Sequence, residues 1–89
     1  MATTLSFLSP EDWTRILMRL ELSPRERELL PAALAGTSEE DIATTFGISR
    51  NTVHGHMRRI YAKLGARDRA QLVLRVFQVY VEMHRHANL

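Results

Sequence analysis

Residues 42 to 64 read IATTFGISRNTVHGHMRRIYAKL, and this stretch decides the fold of the 89-residue chain. Its spacing predicts two short helices that cross at a tight turn. Ala43 is small enough for close helix contact, Gly47 can take a positive φ at the turn, and Val53 is an apolar anchor. The rest of the shared core would come from Ile42, Phe46 and Ile48. This pattern is typical of a helix-turn-helix motif.

The second of these predicted helices has two contrasting faces. At about 100° per residue, one face is apolar and would pack on the core. Its members are Val53, Met57, Ile60 and Leu64. The opposite face carries small or hydrogen-bonding residues, namely Asn51, His54, Gly55, Arg58 and Ala62. A helix that lies in the major groove of DNA requires such a face toward base edges and phosphates.

The same helix therefore contains the candidate DNA contacts. We expect contacts to bases from Asn51, His54 and Arg58. Contacts to phosphates would come from Arg50, Thr52, Arg59 and Lys63. Gly55 would either permit close approach to the DNA backbone, because it has no side chain, or relax the readout of sequence.

Charge is distributed unevenly along the chain. Residues 1–49 carry four Arg and eight Asp or Glu, a net charge of −4. Residues 50–89 carry eight Lys or Arg and two acidic residues, a net charge of +6. A basic amphipathic helix is often only the solvated face of a domain, but this polarity favours a polyanion as the partner of the C-terminal half.

Helix starts and ends are marked along the rest of the chain. Ser9 and Ser23 each precede a proline and acidic residues, which predicts one helix over about residues 10–20 and another from residue 24. Ser23 and Glu26 have the spacing of a capping box, and Gly36 would end this second helix. Its inner stripe would consist of Leu29, Leu30, Ala33 and Leu34.

The remaining boundaries follow from the same signals. The third helix would be capped by Thr37 with Glu40 or by Ser38 with Asp41, and Gly47 would close it. The DNA-facing helix would start after Ser49 and stop at Gly65, and a last helix would run over about residues 67–86.

The predicted last helix is apolar over most of its circumference. One apolar seam contains Ala70, Leu74, Phe77 and Val81, and another contains Leu72, Val76, Val79 and Met83, with Val73 and Tyr80 between them. Because a small domain can cover one seam, an exposed second seam would form a partner surface. We assign dimerisation to Leu72, Val76, Val79, Tyr80 and Met83. The alternative is that the helix containing Trp13 folds back and covers a seam.

Several segments of the chain resemble one protein family. LSPRERELL at 22–30, Gly36, and the run from Ile42 through TVHGHMRRIYAKLGARDR at 52–69 are similar to the DNA-binding domain of LuxR/FixJ-type (GerE-like) bacterial transcription regulators. The resemblance covers about residues 22–75. It implies an all-α, four-helix helix-turn-helix domain that dimerises through its last helix and reads successive major grooves.

Relative to this family, the chain has an N-terminal tail and extra helix at 1–21, and a lengthened last helix in the domain at 22–89. It resembles a stand-alone member or an excised domain. A lysine usually follows the positions of Thr52 and Val53, where this chain has His54, and Gly55 stands where a larger residue is common. A neutral histidine lacks a full charge, so we expect its contact to be weaker and more pH-dependent than that of lysine.

Other functional classes have little support in the sequence. The absence of cysteine excludes disulfides and thiolate metal sites. His54 and His56, like His84 and His86, lie about 200° apart on a helix and cannot chelate one ion. No nucleophile and base pair or phosphate loop can be identified, so we expect no metal, no cofactor and no enzymatic activity.

The sequence also bears on location. Residues 1–12 lack the pattern of a signal peptide, and no segment has the length and apolarity of a membrane span. We expect a soluble protein of the bacterial cytoplasm, bound to the nucleoid when it engages DNA.

The sequence thus predicts a sequence-specific transcription regulator that binds double-stranded DNA as a homodimer. Two alternatives remain open. An interaction module would dimerise with a full-length LuxR-type regulator and block it. A promoter-reading region of a sigma factor would also contact RNA polymerase.

Overall fold

The computed structural model describes residues 8–87, with side chains as far as Arg85, and contains five α-helices in this range. Their bounds are α1 Pro10–Arg19, α2 Pro24–Leu34, α3 Glu39–Phe46, α4 Arg50–Leu64 and α5 Arg69–Ala87. No strand occurs in residues 8–87. The predicted all-α class, with four helices preceded by an extra helix, is confirmed. Residues 1–7 of the predicted N-terminal tail lie outside the described residues.

Serine residues start the first four helices. The side chains of Ser9, Ser23, Ser38 and Ser49 each accept a hydrogen bond from the backbone N–H three residues later, at 3.0 to 3.2 Å. Of the two caps predicted for α3, the structure forms the one at Ser38. Gly47 ends α3 with a φ of 65°, a conformation that glycine adopts without strain, and the chain turns there into α4.

The last helix begins two residues later than predicted, because a local network caps it. The side chain of Asp68 accepts a hydrogen bond from the backbone N–H of Gln71 at 2.9 Å. The side chain of Gln71 in turn accepts one from the backbone N–H of Arg67 at 2.7 Å. This reciprocal arrangement satisfies N–H groups that the first turn leaves unpaired, and it keeps Arg67 outside the helix.

A single hydrophobic core joins the five helices. Its fully buried members include Ile16, Leu29, Leu30, Ile42, Val53, Ile60, Leu72 and Val76. Helix α3 packs on α4, α2 packs on both α4 and α5, and α1 packs on α5. Helix α4 is therefore held by its neighbours on one side, and its other side faces solvent.

The packing of α1 on α5 covers the predicted dimerisation seam within the single chain. Leu72, Val76 and Met83 are buried in the core of the single chain, and Val79 and Tyr80 are half-buried against it. The reason is the alternative noted above: α1 folds back, with Ile16 buried and Trp13, Leu17 and Leu20 packed against the core. The residues left exposed belong to the other seam, with Leu74 at 51%, Phe77 at 43% and Val81 at 38%.

Two arginines of α5 bind the ends of other helices. The Nε of Arg69 donates a hydrogen bond at 2.8 Å to the carbonyl of Leu34, the last residue of α2. The Nε of Arg75 donates at 2.8 Å to the carbonyl of Leu64, the last residue of α4. These carbonyls have no partner within their own helix, so each cation satisfies a group at the negative end of a helix dipole.

Candidate nucleic-acid interface

Helix α4 presents the two faces that the sequence predicts. Val53, Met57, Ile60 and Leu64 are buried, whereas Arg50, Asn51, Thr52, His54, Arg58 and Ala62 are exposed and Gly55 is half-buried. The N-terminus of α4 follows the turn at Gly47, so α3 lies against its first turns. Acidic residues of two other helices adjoin the polar face, Glu39 of α3 at His54 and Glu26 of α2 at Arg59 and Lys63.

A buried carboxylate adjoins one flank of this face. Glu26 on α2 is only 2% exposed. Its Oε1 lies 2.7 Å from the Nζ of Lys63 and its Oε2 lies 3.4 Å from the Nε of Arg59. Oε1 also accepts a hydrogen bond from the backbone N–H of Ser23 at 2.9 Å, completing the predicted capping box. Glu26 thus links the start of α2 to the second half of α4.

The carboxyl of Glu26 titrates below its ordinary range. Burial alone raises its pKa, since an apolar environment disfavours the charged form. The hydrogen bonds from Lys63 and Ser23 and the positive charge of Lys63 outweigh burial, so the net shift of the pKa is downward. Glu26 is therefore ionised at neutral pH and offsets part of the positive charge of α4.

Arg59 lies along the surface of its own helix. Its guanidinium covers Gly55, where a Cβ would sit 3.6 Å from Nη1, an ordinary van der Waals distance. Its Nη2 donates a hydrogen bond at 3.2 Å to the Nδ1 of His56. Gly55 therefore has an arginine over it in this structure, rather than an open surface for the DNA backbone.

His54 contacts the first residue of α3. Its Nδ1 lies 3.1 and 3.2 Å from the two carboxylate oxygens of Glu39. The imidazole nevertheless remains largely accessible, with 58% of its side chain exposed. An acidic residue of the neighbouring helix thus holds one ring nitrogen of His54 and leaves most of the ring accessible.

The other predicted contacts differ in their surroundings. Arg50 and Arg58 form no ion pair with any residue between 8 and 85. The hydroxyl of Thr52 shares a hydrogen bond of 2.8 Å with that of Ser49, so it belongs to the helix cap. Asn51 is exposed beside them. All eight predicted DNA contacts therefore lie outside the buried face of α4, with Arg59 and Lys63 already paired to Glu26.

Sequence reasoning missed Glu26 and Glu39 as partners of these residues. A signal for Glu26 was present, since it lies three and four residues before Leu29 and Leu30 and therefore on the inner stripe of α2. An acidic residue on a core-facing stripe requires a cationic partner. Glu39 gave no comparable signal, because its contact with His54 depends on how α3 crosses α4.

His84 and Trp13 make contacts that stabilise the fold. The Nε2 of His84 lies 3.6 Å from Asp12, which links α5 to the start of α1, and Trp13 packs against the core. The side chain of His86 lies outside the described residues. Across the described part of the chain, no three His, Asp or Glu side chains group closely enough to hold a metal ion. None of its helices combines the length and apolarity needed to cross a membrane.

Comparison of the chain with models of known protein families identifies its family. Residues 20–76, which contain α2, α3, α4 and the start of α5, match the GerE family model, described as bacterial regulatory proteins of the luxR family. The chain belongs to this family. The LuxR-type resemblance noted in the sequence is confirmed, and α1 lies before the matched region. Members of this family are DNA-binding regulators of transcription.

Individual relatives carry regulatory names. The chain is 44% identical over 64 residues to the probable transcriptional regulatory protein SgaR of Hyphomicrobium methylovorum, covering 72% of this chain and 30% of that protein. It is 41% identical over 56 residues to the probable HTH-type transcriptional regulator GfsR of Streptomyces halstedii, covering 63% and 23%. It is 44% identical over 52 residues to the transcriptional regulatory protein TdiR of Thauera aromatica, covering 58% and 23%. The chain thus spans less than a third of the length of these relatives. No solved structure matches it significantly.

Proposed function

We propose that the protein binds specific double-stranded DNA by placing α4 in the major groove. The observation that carries this proposal is the exposed polar face of α4, on which Arg50 and Arg58 pair with no acidic residue in the described part of the chain. Cations without an acidic partner are the groups that gain most from approaching phosphates and guanine edges. Asn51, His54 and Arg58 are the proposed base contacts.

The proposed phosphate contacts fall into two groups. Arg50 and Thr52 lie at the start of α4, whereas Arg59 and Lys63 lie near its end beside Glu26. The second pair would approach DNA with part of its charge already offset by Glu26. We therefore propose that Arg50 contributes more to phosphate binding than Lys63 does.

We further propose that two copies associate through α5. Leu74, Phe77 and Val81 form an exposed apolar strip on a helix whose opposite side is buried. A second copy related by a two-fold axis would cover the same strip on both chains. Such pairing would set the two α4 helices about 34 Å apart, which calls for an inverted-repeat site. The protein would then act as a regulator in the bacterial cytoplasm, on the nucleoid.

A second candidate function is an antagonist that pairs with a full-length LuxR-type regulator and blocks its binding. The observation that favours it is the charge balance of α4, where Glu26 and Glu39 oppose Arg59, Lys63 and His54. Such an antagonist would pair with the regulator through the exposed strip of Leu74, Phe77 and Val81 and would bind DNA weakly.

One experiment distinguishes the DNA-binding regulator from the antagonist. The full chain selects duplexes from a randomised library, and its affinity for the most enriched sequence is then measured over a range of salt concentrations. A DNA-binding regulator enriches an inverted repeat, and the logarithm of its affinity falls linearly with the logarithm of salt concentration. Failure to enrich any sequence, even at low salt, contradicts the first proposal. Sedimentation of the chain alone tests the dimer: a monomer at high micromolar concentration contradicts it.

A further inference from the structure

Glu39 contacts one of the two ring nitrogens of His54. Both oxygens of its carboxylate lie within 3.2 Å of Nδ1, and an ionised carboxylate can only accept hydrogen bonds. Glu39 is the first residue of α3, where the positive end of the helix dipole stabilises a negative charge. The hydrogen of a neutral His54 must therefore lie on Nδ1.

This arrangement leaves Nε2 of His54 as an acceptor. In a neutral imidazole, the nitrogen without the hydrogen carries a lone pair, and the hydrogen bond at the other nitrogen decides which one that is. Nε2 makes no hydrogen bond to any described residue. It belongs to a largely exposed ring on the polar face of α4.

We propose that Glu39 is a positioning residue for sequence readout: through His54 it selects a base that offers an amino group in the major groove. Cytosine N4 and adenine N6 are the donors that a lone pair at Nε2 would accept from. Protonation would convert Nε2 into a donor and shift the preference toward the N7 and O6 acceptors of guanine. The inference rests on the proposed placement of α4 in the major groove.

The charges around His54 are compatible with both protonation states. Glu39 faces the ring from α3, and Glu40 and Asp41 follow it in the same turn. Within α4, Arg50 and Arg58 lie one turn before and one turn after His54. The carboxylate can accept from Nδ1 whether or not Nε2 also carries a hydrogen, so the contact does not depend on the state of Nε2.

The first test needs no DNA. The ¹⁵N chemical shifts of the two imidazole nitrogens, measured at about pH 8 where histidine is mainly neutral, report which of them is protonated. We expect Nδ1 to carry the hydrogen in the wild type and in Glu40→Gln, an exposed neighbour that does not touch His54. Glu39→Gln should lose this preference, because an amide can donate as well as accept. A wild-type ring protonated on Nε2 would overturn the inference.

The second test uses the duplex enriched from the random library. His54→Ala identifies the base pair that His54 reads, as the position at which discrimination is lost. At about pH 8 the wild type and Glu40→Gln should prefer cytosine or adenine there by about two- to tenfold, as expected for one hydrogen bond. Glu39→Gln should lose this preference, because the tautomer of His54 is no longer fixed.

The outcomes separate the two proposals. Specific DNA binding in which Glu39→Gln leaves the base preference unchanged contradicts the role of Glu39 alone. If the expected tautomer is observed but the protein binds no specific DNA, the proposed function is contradicted. The proposed role of Glu39 in base selection then fails as well, because it depends on that function.

Discussion

Glu26 on α2 and Lys63 on α4 form an ion pair with 2.7 Å between Oε1 and Nζ, across 37 positions of sequence. The carboxylate is buried and the ammonium is partly exposed. The pair therefore connects α4 to the core through one acidic residue. It also decides how much of the charge of α4 is available to a polyanion.

Replacing Glu26 by Gln should lower the free energy of unfolding by about 1 to 3 kcal/mol at neutral pH, because hydrogen bonds from charged donors are lost. The folded pKa of Glu26 lies below its unfolded value, so its stabilisation is present above about pH 4.3, the ordinary value for Glu, and is lost as the pH falls through the folded pKa. Urea unfolding across this range measures the difference, which should shrink in acid.

Glu28→Gln, in an exposed pair with Arg25, should change stability by less than about 0.5 kcal/mol. A wild-type minus Glu26→Gln difference that grows on acidification would contradict the assigned pKa direction.

Arg58→Ala should weaken binding to the selected duplex by about 1 to 3 kcal/mol and binding to random DNA much less, because a base contact carries the sequence information. Fluorescence anisotropy on both duplexes measures this. Equal losses on the two would assign Arg58 to phosphate.

Arg50→Ala and Lys63→Ala should both weaken binding to all sequences. Arg50→Ala should reduce the salt slope by about one, the value for one lost phosphate contact. Lys63→Ala should reduce it by less, because Glu26 already offsets its charge. In a Glu26→Gln background, the effect of Lys63→Ala should approach that of Arg50→Ala. If Lys63→Ala has the larger effect in the wild-type background, the charge compensation by Glu26 is disproved.

The two seams of α5 should respond in opposite ways to a charge. Val76→Glu places a carboxyl in a fully buried position and should unfold the domain, whereas Phe77→Glu lies on the exposed strip and should leave it folded. Circular dichroism reports folding and sedimentation reports mass. A folded, monomeric Phe77→Glu with weakened DNA binding supports the dimer. Phe77→Glu that stays dimeric places the contact elsewhere.

Two glycines should respond oppositely to alanine. Gly47→Ala should destabilise by about 1 to 2 kcal/mol, since its φ of 65° strains an L-residue although nothing lies within 4 Å of the new Cβ. Gly55→Ala should stabilise by about 0.5 to 1 kcal/mol, because it removes a glycine from a helix interior and makes only ordinary contact with Arg59. Thermal unfolding compares both. A destabilising Gly55→Ala would mean that the Arg59 guanidinium cannot adjust.

The sequence predicted the helices closely because their signals act within one turn. Ser9, Ser23 and Ser49 each reach a backbone N–H three residues away, and Gly47 needs only its own φ. The division of α4 into a buried and an exposed face likewise follows from helical periodicity. The one boundary that moved, at the start of α5, moved because the side chains of Asp68 and Gln71 formed a cap that was not recognised.

The predicted site was less complete, since periodicity shows which way a residue faces and not what it meets. All eight proposed DNA contacts lie outside the buried face of α4, but the acidic partners of His54, Arg59 and Lys63 lie on other helices. The contact of Glu39 with His54 spans 15 positions and needs α3 to cross α4 at the observed angle. No local pattern encodes that angle.

Local sequence signals specify the all-α class, the helix-turn-helix and the polar face of α4, because caps, glycines and periodicity are properties of short segments. The choice of which α5 seam is buried depends on the packing of the whole chain. Both seams are apolar and either satisfies the same periodicity, so the choice depends on the position of α1, whose Ile16 is buried in the shared core. Long-range packing selects between locally equivalent faces, and here it buries Leu72 and Val76 while Leu74 and Phe77 remain at the surface.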